Sequence, residues 1–94
     1  DANAGFVKFS NGFTIQWGLT WFLNQNTYCD VTLPISCNVL VALCTDDSAS
    51  TTTRGDEFYV SWNSGFSNNN RNSIRFLTNR GNAGNFTWMC LGIS

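Results

Sequence analysis

Histidine is absent from the 94 residues. Its absence removes the commonest general base, and with it any Ser-His or Cys-His nucleophile pair. Charge is also scarce: Asp, Glu, Lys and Arg make up 12% of the chain, about half the share usual in a globular domain. Lys8, Arg54, Arg71, Arg75 and Arg80 are scattered along the chain. Nucleic-acid binding needs such groups clustered, so that partner is not expected. No apolar run approaches the roughly 20 residues of a membrane-spanning helix, so no membrane insertion is expected, and no secretory signal is legible. There is no C-x-x-C pair, which together with the missing histidine argues against zinc. P-loop and dinucleotide-binding glycine patterns are missing too. The adjacent carboxylates Asp46-Asp47 and Asp56-Glu57 would point to opposite faces of a strand, so neither forms a ready acid–base pair. A loop calcium site built from Asp46, Asp47 and Asp56 lacks the D-x-D-x-D spacing that would support it. The expectation is a domain that works by binding, without catalysis, metal or cofactor.

What is present points to β structure. Hydrophobic residues make up 43% of the chain and aromatic residues 15%, which excludes a disordered tail. The length suits one domain over residues 1–94, small enough that oligomerisation or cross-links often complete its stability. Asp1 stands first in place of a methionine, which suggests a piece of a longer protein. The four cysteines, Cys29, Cys37, Cys44 and Cys90, admit two disulfides in three pairings, or four buried thiols. The apolar flanks of Cys44 and Cys90 favour thiols.

Alternation and turn signals recur at short intervals, which predicts an antiparallel β-sandwich of about six to seven strands. A first strand over Gly5–Phe9 leads to Asn11-Gly12, a dipeptide that tolerates positive φ and suits a hairpin. Phe13, Ile15 and Trp17 then alternate with Thr14, Gln16 and Gly18. Leu19–Asn26 reads as a loop, and Tyr28–Leu33 as a strand that stops at Pro34, the single proline. Val39–Thr45 is apolar on both faces. Asp46–Asp56 is a Ser/Thr-rich loop, Glu57–Trp62 a strand, Asn63–Asn72 a second long loop and Ser73–Thr78 a strand. After a Gly/Asn turn over Asn79–Asn85, Phe86–Ile93 is again apolar on both faces. One face of each such strand can fill the core. The other needs a partner, and a second subunit is the simplest one, so a homotrimer is expected.

The candidate binding residues are Trp62, Asn63, Asn69 and Arg71. A sugar presents apolar C–H faces and many hydroxyls; an aromatic ring covers the face while Asn and Arg satisfy the hydroxyls. The Trp62–Arg71 stretch has that content, including Phe66, and long loops in compact domains are often functional. Trp21–Tyr28 is similar but reaches no charge until Asp30.

Three spaced patterns carry a family resemblance: G-F-T-I-Q-W-G at Gly12–Gly18, V-T-L-P-I at Val31–Ile35 and F-T-W-M-C-L-G at Phe86–Gly92. Together they resemble the C-terminal receptor-binding tip of certain phage tail fibres, over roughly Gly5 to Ser94. Leu33 departs from the family's usual Phe, Cys37 and Cys90 from its Phe and Ala, and Ser94 from a frequent terminal Tyr. The resemblance implies an H-type-lectin-like sandwich that trimerises at the end of an upstream fibre shaft. It also implies contact with a bacterial surface glycan such as lipopolysaccharide, and a virion protein assembled in the host cytoplasm, where thiols stay reduced. The shared motifs carry over no binding residue. Two other functions fit the sequence: a secreted lectin of similar fold with structural disulfides, and a trimerisation cap that binds nothing.

Overall fold

The computed structural model describes residues 3–22, 26–46, 60–68, 71–79, 81 and 83–94. Seven strands are present among the described residues: β1 (Ala4–Lys8), β2 (Phe13–Trp21), β3 (Tyr28–Thr32), β4 (Asn38–Asp46), β5 (Val60–Trp62), β6 (Ser73–Thr78) and β7 (Asn85–Ile93). One short helix, α1 (Ser64–Asn68), lies between β5 and β6. The strands form two antiparallel sheets, one ordered β1-β2-β7-β4 and the other β3-β6-β5. The all-β sandwich expected from alternation is therefore the observed architecture.

The β1–β2 hairpin turns where Asn11-Gly12 was expected to turn it. Gly12 has φ +92°, which an L side chain rarely adopts. Its N–H donates to the Phe9 carbonyl at 2.9 Å, and the Asn11 side chain accepts from the Phe13 N–H at 3.0 Å. Ser94 N–H donates to the Gly12 carbonyl at 2.8 Å, which ties the end of β7 to this turn. At the same end, Leu33 and Cys37 N–H groups donate to the Asn72 and Arg71 carbonyls at 2.8 and 2.9 Å. At the opposite end Phe22 N–H donates to Gly84 at 3.1 Å, and Thr78 N–H to Thr27 at 2.9 Å. The chain thus runs up and down, with turns 9–12, 33–37 and 63–72 gathered at one end.

The core lies between the sheets. Ile74 and Phe76 of β6 face Phe86, Trp88 and Cys90 of β7, and all five are buried. Phe22 stacks on Phe86 with ring centroids 4.8 Å apart, and Phe76 meets Phe86 edge-on at 5.3 Å. A buried polar tie accompanies them. The Gln16 amide is fully enclosed; its Nε2 donates to the Ile35 carbonyl at 3.0 Å and its Oε1 accepts the Ile35 N–H at 3.0 Å. The side chain thereby does for the 33–37 crossover what a neighbouring strand would do.

Two sequence expectations need correction. Leu19–Trp21 is strand, not loop: β2 continues to Trp21, with Leu19 opposite Thr87 and Trp21 opposite Asn85. Gly18 sits inside the strand, and the Trp88 indole takes up the space above it. A Cβ there would come within 2.6 Å of the indole nitrogen. The 63–72 loop contains α1, since Asn63 caps it by accepting the Phe66 N–H at 3.2 Å. Smaller differences of one residue occur at the ends of β1, β3, β4 and β7. Glu57–Tyr59, and the Asp46–Asp56 loop beyond Asp46, lie outside the described residues.

Candidate functional site

The four residues expected to bind are not brought together as one described surface. Trp62 is half-buried and packs against the core, paired with Phe76 on the inward side of β5. Asn63 is half-buried and spends its side-chain oxygen on the α1 cap. Arg71 is exposed beside the 33–37 crossover, and its carbonyl holds Cys37. Asn69 lies outside the described residues, as do Asp47 and Asp56 of the conceivable calcium loop. Among the described residues, no three His, Cys, Asp or Glu side chains gather into a metal-binding group.

The same loop does deliver one side chain to a denser cluster. The α1 cap places Phe66 against Arg75 of β6, with the guanidinium carbon 4.5 Å from the ring centroid. Tyr28 of β3 flanks the same guanidinium at 4.7 Å. Asp30, directly opposite Arg75 across the β3–β6 ladder, accepts from its Nε at 2.7 Å and from Nη2 at 2.9 Å. This pairing is bidentate and planar, the geometry in which arginine is most tightly oriented. Hydrogen bonding from Arg75 holds the Asp30 carboxyl below its ordinary range, and the same bonds raise the Arg75 guanidinium.

Beside Asp30 lies a groove of about 290 Å³, lined by Thr20, Trp21, Asn26, Tyr28, Cys29 and Asp30. Trp21 and Tyr28 are 52% and 49% exposed, so each offers ring surface to a visitor. At its base the Cys29 thiol lies 3.9 Å from the Thr20 hydroxyl, and burial raises its pKa. Sequence reading saw Asp30 as the first charge after Trp21–Tyr28, but it had no means of finding Arg75. That partnership is 45 residues long in sequence and depends on strand register.

A different surface covers the outside of the four-stranded sheet. Ile15, Leu91 and Val41 form one cross-strand row, and Trp17, Met89 and Leu43 the next. Trp17 is 43% exposed and Leu43 60%. The Trp17 indole lies over Gly5 of β1, where a Cβ would come within 2.6 Å of it. The inward side of β7 is Phe86, Trp88 and Cys90; Met89 and Ile93 are the outward residues. Which face of the doubly apolar strands is left uncovered is thereby fixed.

A solved structure shares this arrangement. The chain has a fold found in a tail fibre. It is similar to an N-truncated R2-type pyocin tail fibre, with a TM-score of 0.75 and 15% sequence identity over 96% of this chain. The chain spans 34% of that fibre's length. At this identity the likeness is one of fold. No protein-family model matches the chain, and no curated protein sequence matches it. With a tail-fibre fold in hand, the two outer surfaces become the features to explain, one apolar and one bearing an oriented ion pair among aromatic rings.

Proposed function

We propose that this chain is a receptor-binding tip domain of a phage tail fibre, carried on an upstream shaft and acting by binding without catalysis. Three copies pack their four-stranded sheets around a common axis. The three-stranded sheets then face outward and meet a saccharide on the bacterial surface, such as lipopolysaccharide. The observation that carries this reading is the outward face of the four-stranded sheet. A monomer would leave Trp17, Val41, Leu43, Met89 and Ile93 in water together, and contiguous apolar surface of that kind marks an interface. The likeness of fold to a tail fibre supports it. The four free cysteines fit folding in a reducing host cytoplasm and virion assembly there.

Light scattering at micromolar concentration tests the assembly and should return the mass of three chains. Adsorption of the labelled protein to a panel of bacterial cells tests the binding. A trimer that adsorbs to no strain would favour the alternative of a trimerisation cap, which the apolar face would serve equally well.

A further inference from the structure

The three-stranded sheet carries an arrangement that its stability does not require. Exposed ion pairs contribute little to folding, and the Asp30 and Arg75 side chains retain 37% and 33% exposure. Yet the pair is fixed by two short bonds and flanked by two rings, so both charged groups keep one orientation, and Asp30 presents its carboxylate to a concave surface. Preorganised donors and acceptors of this kind reduce the entropy lost when a ligand is ordered.

We infer that the groove lined by Trp21, Tyr28 and Asp30, whose carboxylate Arg75 orients, is a saccharide site that takes a neutral pyranose presenting an apolar ring face and adjacent hydroxyls. The inference rests on the receptor-binding reading above and gives it a location. Tyr28 has one side against Arg75 and remains half exposed, and Trp21 stands across the groove, so a pyranose C–H face finds aromatic surface. The Asp30 carboxylate has lone pairs beyond the two that Arg75 engages and accepts from sugar hydroxyls. Arg75 does not line the groove; its Nε and Nη2 bonds hold the Asp30 carboxylate in one orientation there, so Arg75 acts on a ligand through Asp30. Asn26, exposed at the rim, can both donate and accept. Because Asp30 neutralises Arg75, the site has no net charge with which to select an acidic sugar. Cell-surface polysaccharide repeats this pyranose unit, and three such sites on one trimer would bind it through avidity.

The test is an array of neutral and acidic bacterial O-polysaccharides probed with the whole chain as the trimer. Four variants accompany it: Arg75→Lys, Asp30→Asn, Tyr28→Leu and, outside the groove, Arg71→Ala. Circular dichroism and mass establish that each variant keeps its fold and assembly; Arg75→Lys and Tyr28→Leu keep charge and bulk respectively. Neutral polysaccharides should bind, and each groove variant should weaken them by about tenfold or more, as expected for loss of a charge-assisted hydrogen bond or a stacking ring. Arg71→Ala should bind as the parent does. If the groove variants bind like the parent while Arg71→Ala does not, this site is wrong and the receptor-binding reading stands with the 63–72 loop. A parent that binds only acidic polysaccharides would also overturn the site. A parent that binds none would overturn both.

Discussion

Each sheet of the sandwich turns one face inward and one outward, and the two outward faces differ in kind. On the four-stranded sheet the outward positions of β2, β7 and β4 include Ile15, Trp17, Leu91, Met89, Val41 and Leu43, with no charged residue among these, and Trp21 at the end of β2 carries the same parity to the rim of the groove. On the three-stranded sheet the outward positions of β3 and β6 include Tyr28, Asp30, Thr32, Ser73 and Arg75. Side chains alternate between the two faces in both sheets, so the pleat does not distinguish them. What differs is the side chain placed at every second residue. A face of the first kind gains free energy by leaving water, while a face of the second kind holds hydrogen-bonding groups ready for a polar partner. One domain can therefore associate through one side and recognise through the other.

Substitution at Leu43, the most exposed apolar residue of that face, should break the contrast most completely. In the proposed trimer, Leu43→Glu would bury an unpaired charge in each of three copies, at a cost of several kcal/mol per site. Light scattering should then report single chains, with the β-sheet circular dichroism retained. Arg75→Glu on the other sheet should leave the trimer intact. Loss of the trimer in both, or in neither, would erase the distinction between the faces.

Between the faces, Phe86 is shared by both sheets through Phe22 and Phe76. Phe86→Ala should cost about 3–5 kcal/mol in denaturant unfolding. Gln16→Leu should cost a comparable amount, about 1–3 kcal/mol for each of the two Ile35 backbone groups left unpaired. It should also loosen hydrogen-exchange protection at the 33–37 crossover before either sheet is affected.

The smallest effects are those of pH. Burial pushes the Cys44 thiol up to about 11 and the Cys90 thiol up to about 12, the latter helped by neighbouring Cys37. A thiol kept protonated in the fold but free to ionise when unfolded supports stability fully below the ordinary value of 9.0, and less as pH rises toward these raised values. Urea midpoints should therefore be level near neutrality and drift down in alkali, with thiol reagents slow to label the native protein. Asp30 acts in the opposite direction. Its lowered pKa makes its contribution present above the usual carboxylate range and lost as pH falls through the depressed value. Acid should thus disturb the three-stranded face, seen as a change around Tyr28, while alkali weakens the interior.

Much of the fold was legible in the sequence because it is written locally. Alternation marks strands, Asn11-Gly12 marks a turn, and strands apolar on both faces imply a surface in need of a partner. The partner parity was not legible, because Phe86-x-Trp88-x-Cys90 and Met89-x-Leu91-x-Ile93 are equally apolar and only packing separates them. Leu19–Trp21 was misread as loop since the strand it pairs with, β7, lies more than 60 residues away along the chain. The candidate site was legible only in composition. The 63–72 loop does contribute an aromatic ring, Phe66, but the charge it meets is Arg75 and not Arg71. Cross-strand register joins Asp30 to Arg75, and register is a property of pairing that no single segment contains.

The irregularity in β4 bears on how this domain tolerates change in length. Val39 pairs with Gly92 and Val41 with Leu91, so Leu40 is an extra residue in the ladder. Val39 and Ala42 are both buried although three positions apart, while Leu40 and Val41 both face out. The strand has thus absorbed one inserted residue without exchanging its inside for its outside. Removing Leu40 would restore an even ladder and keep every other side chain of β4 on its present face. A one-residue deletion in the unbroken β7 would instead carry Phe86 and Trp88 outward and Met89 inward. Lineages of such a domain should accordingly gain and lose residues in β4, at the sheet's edge, and hold β7 at constant length.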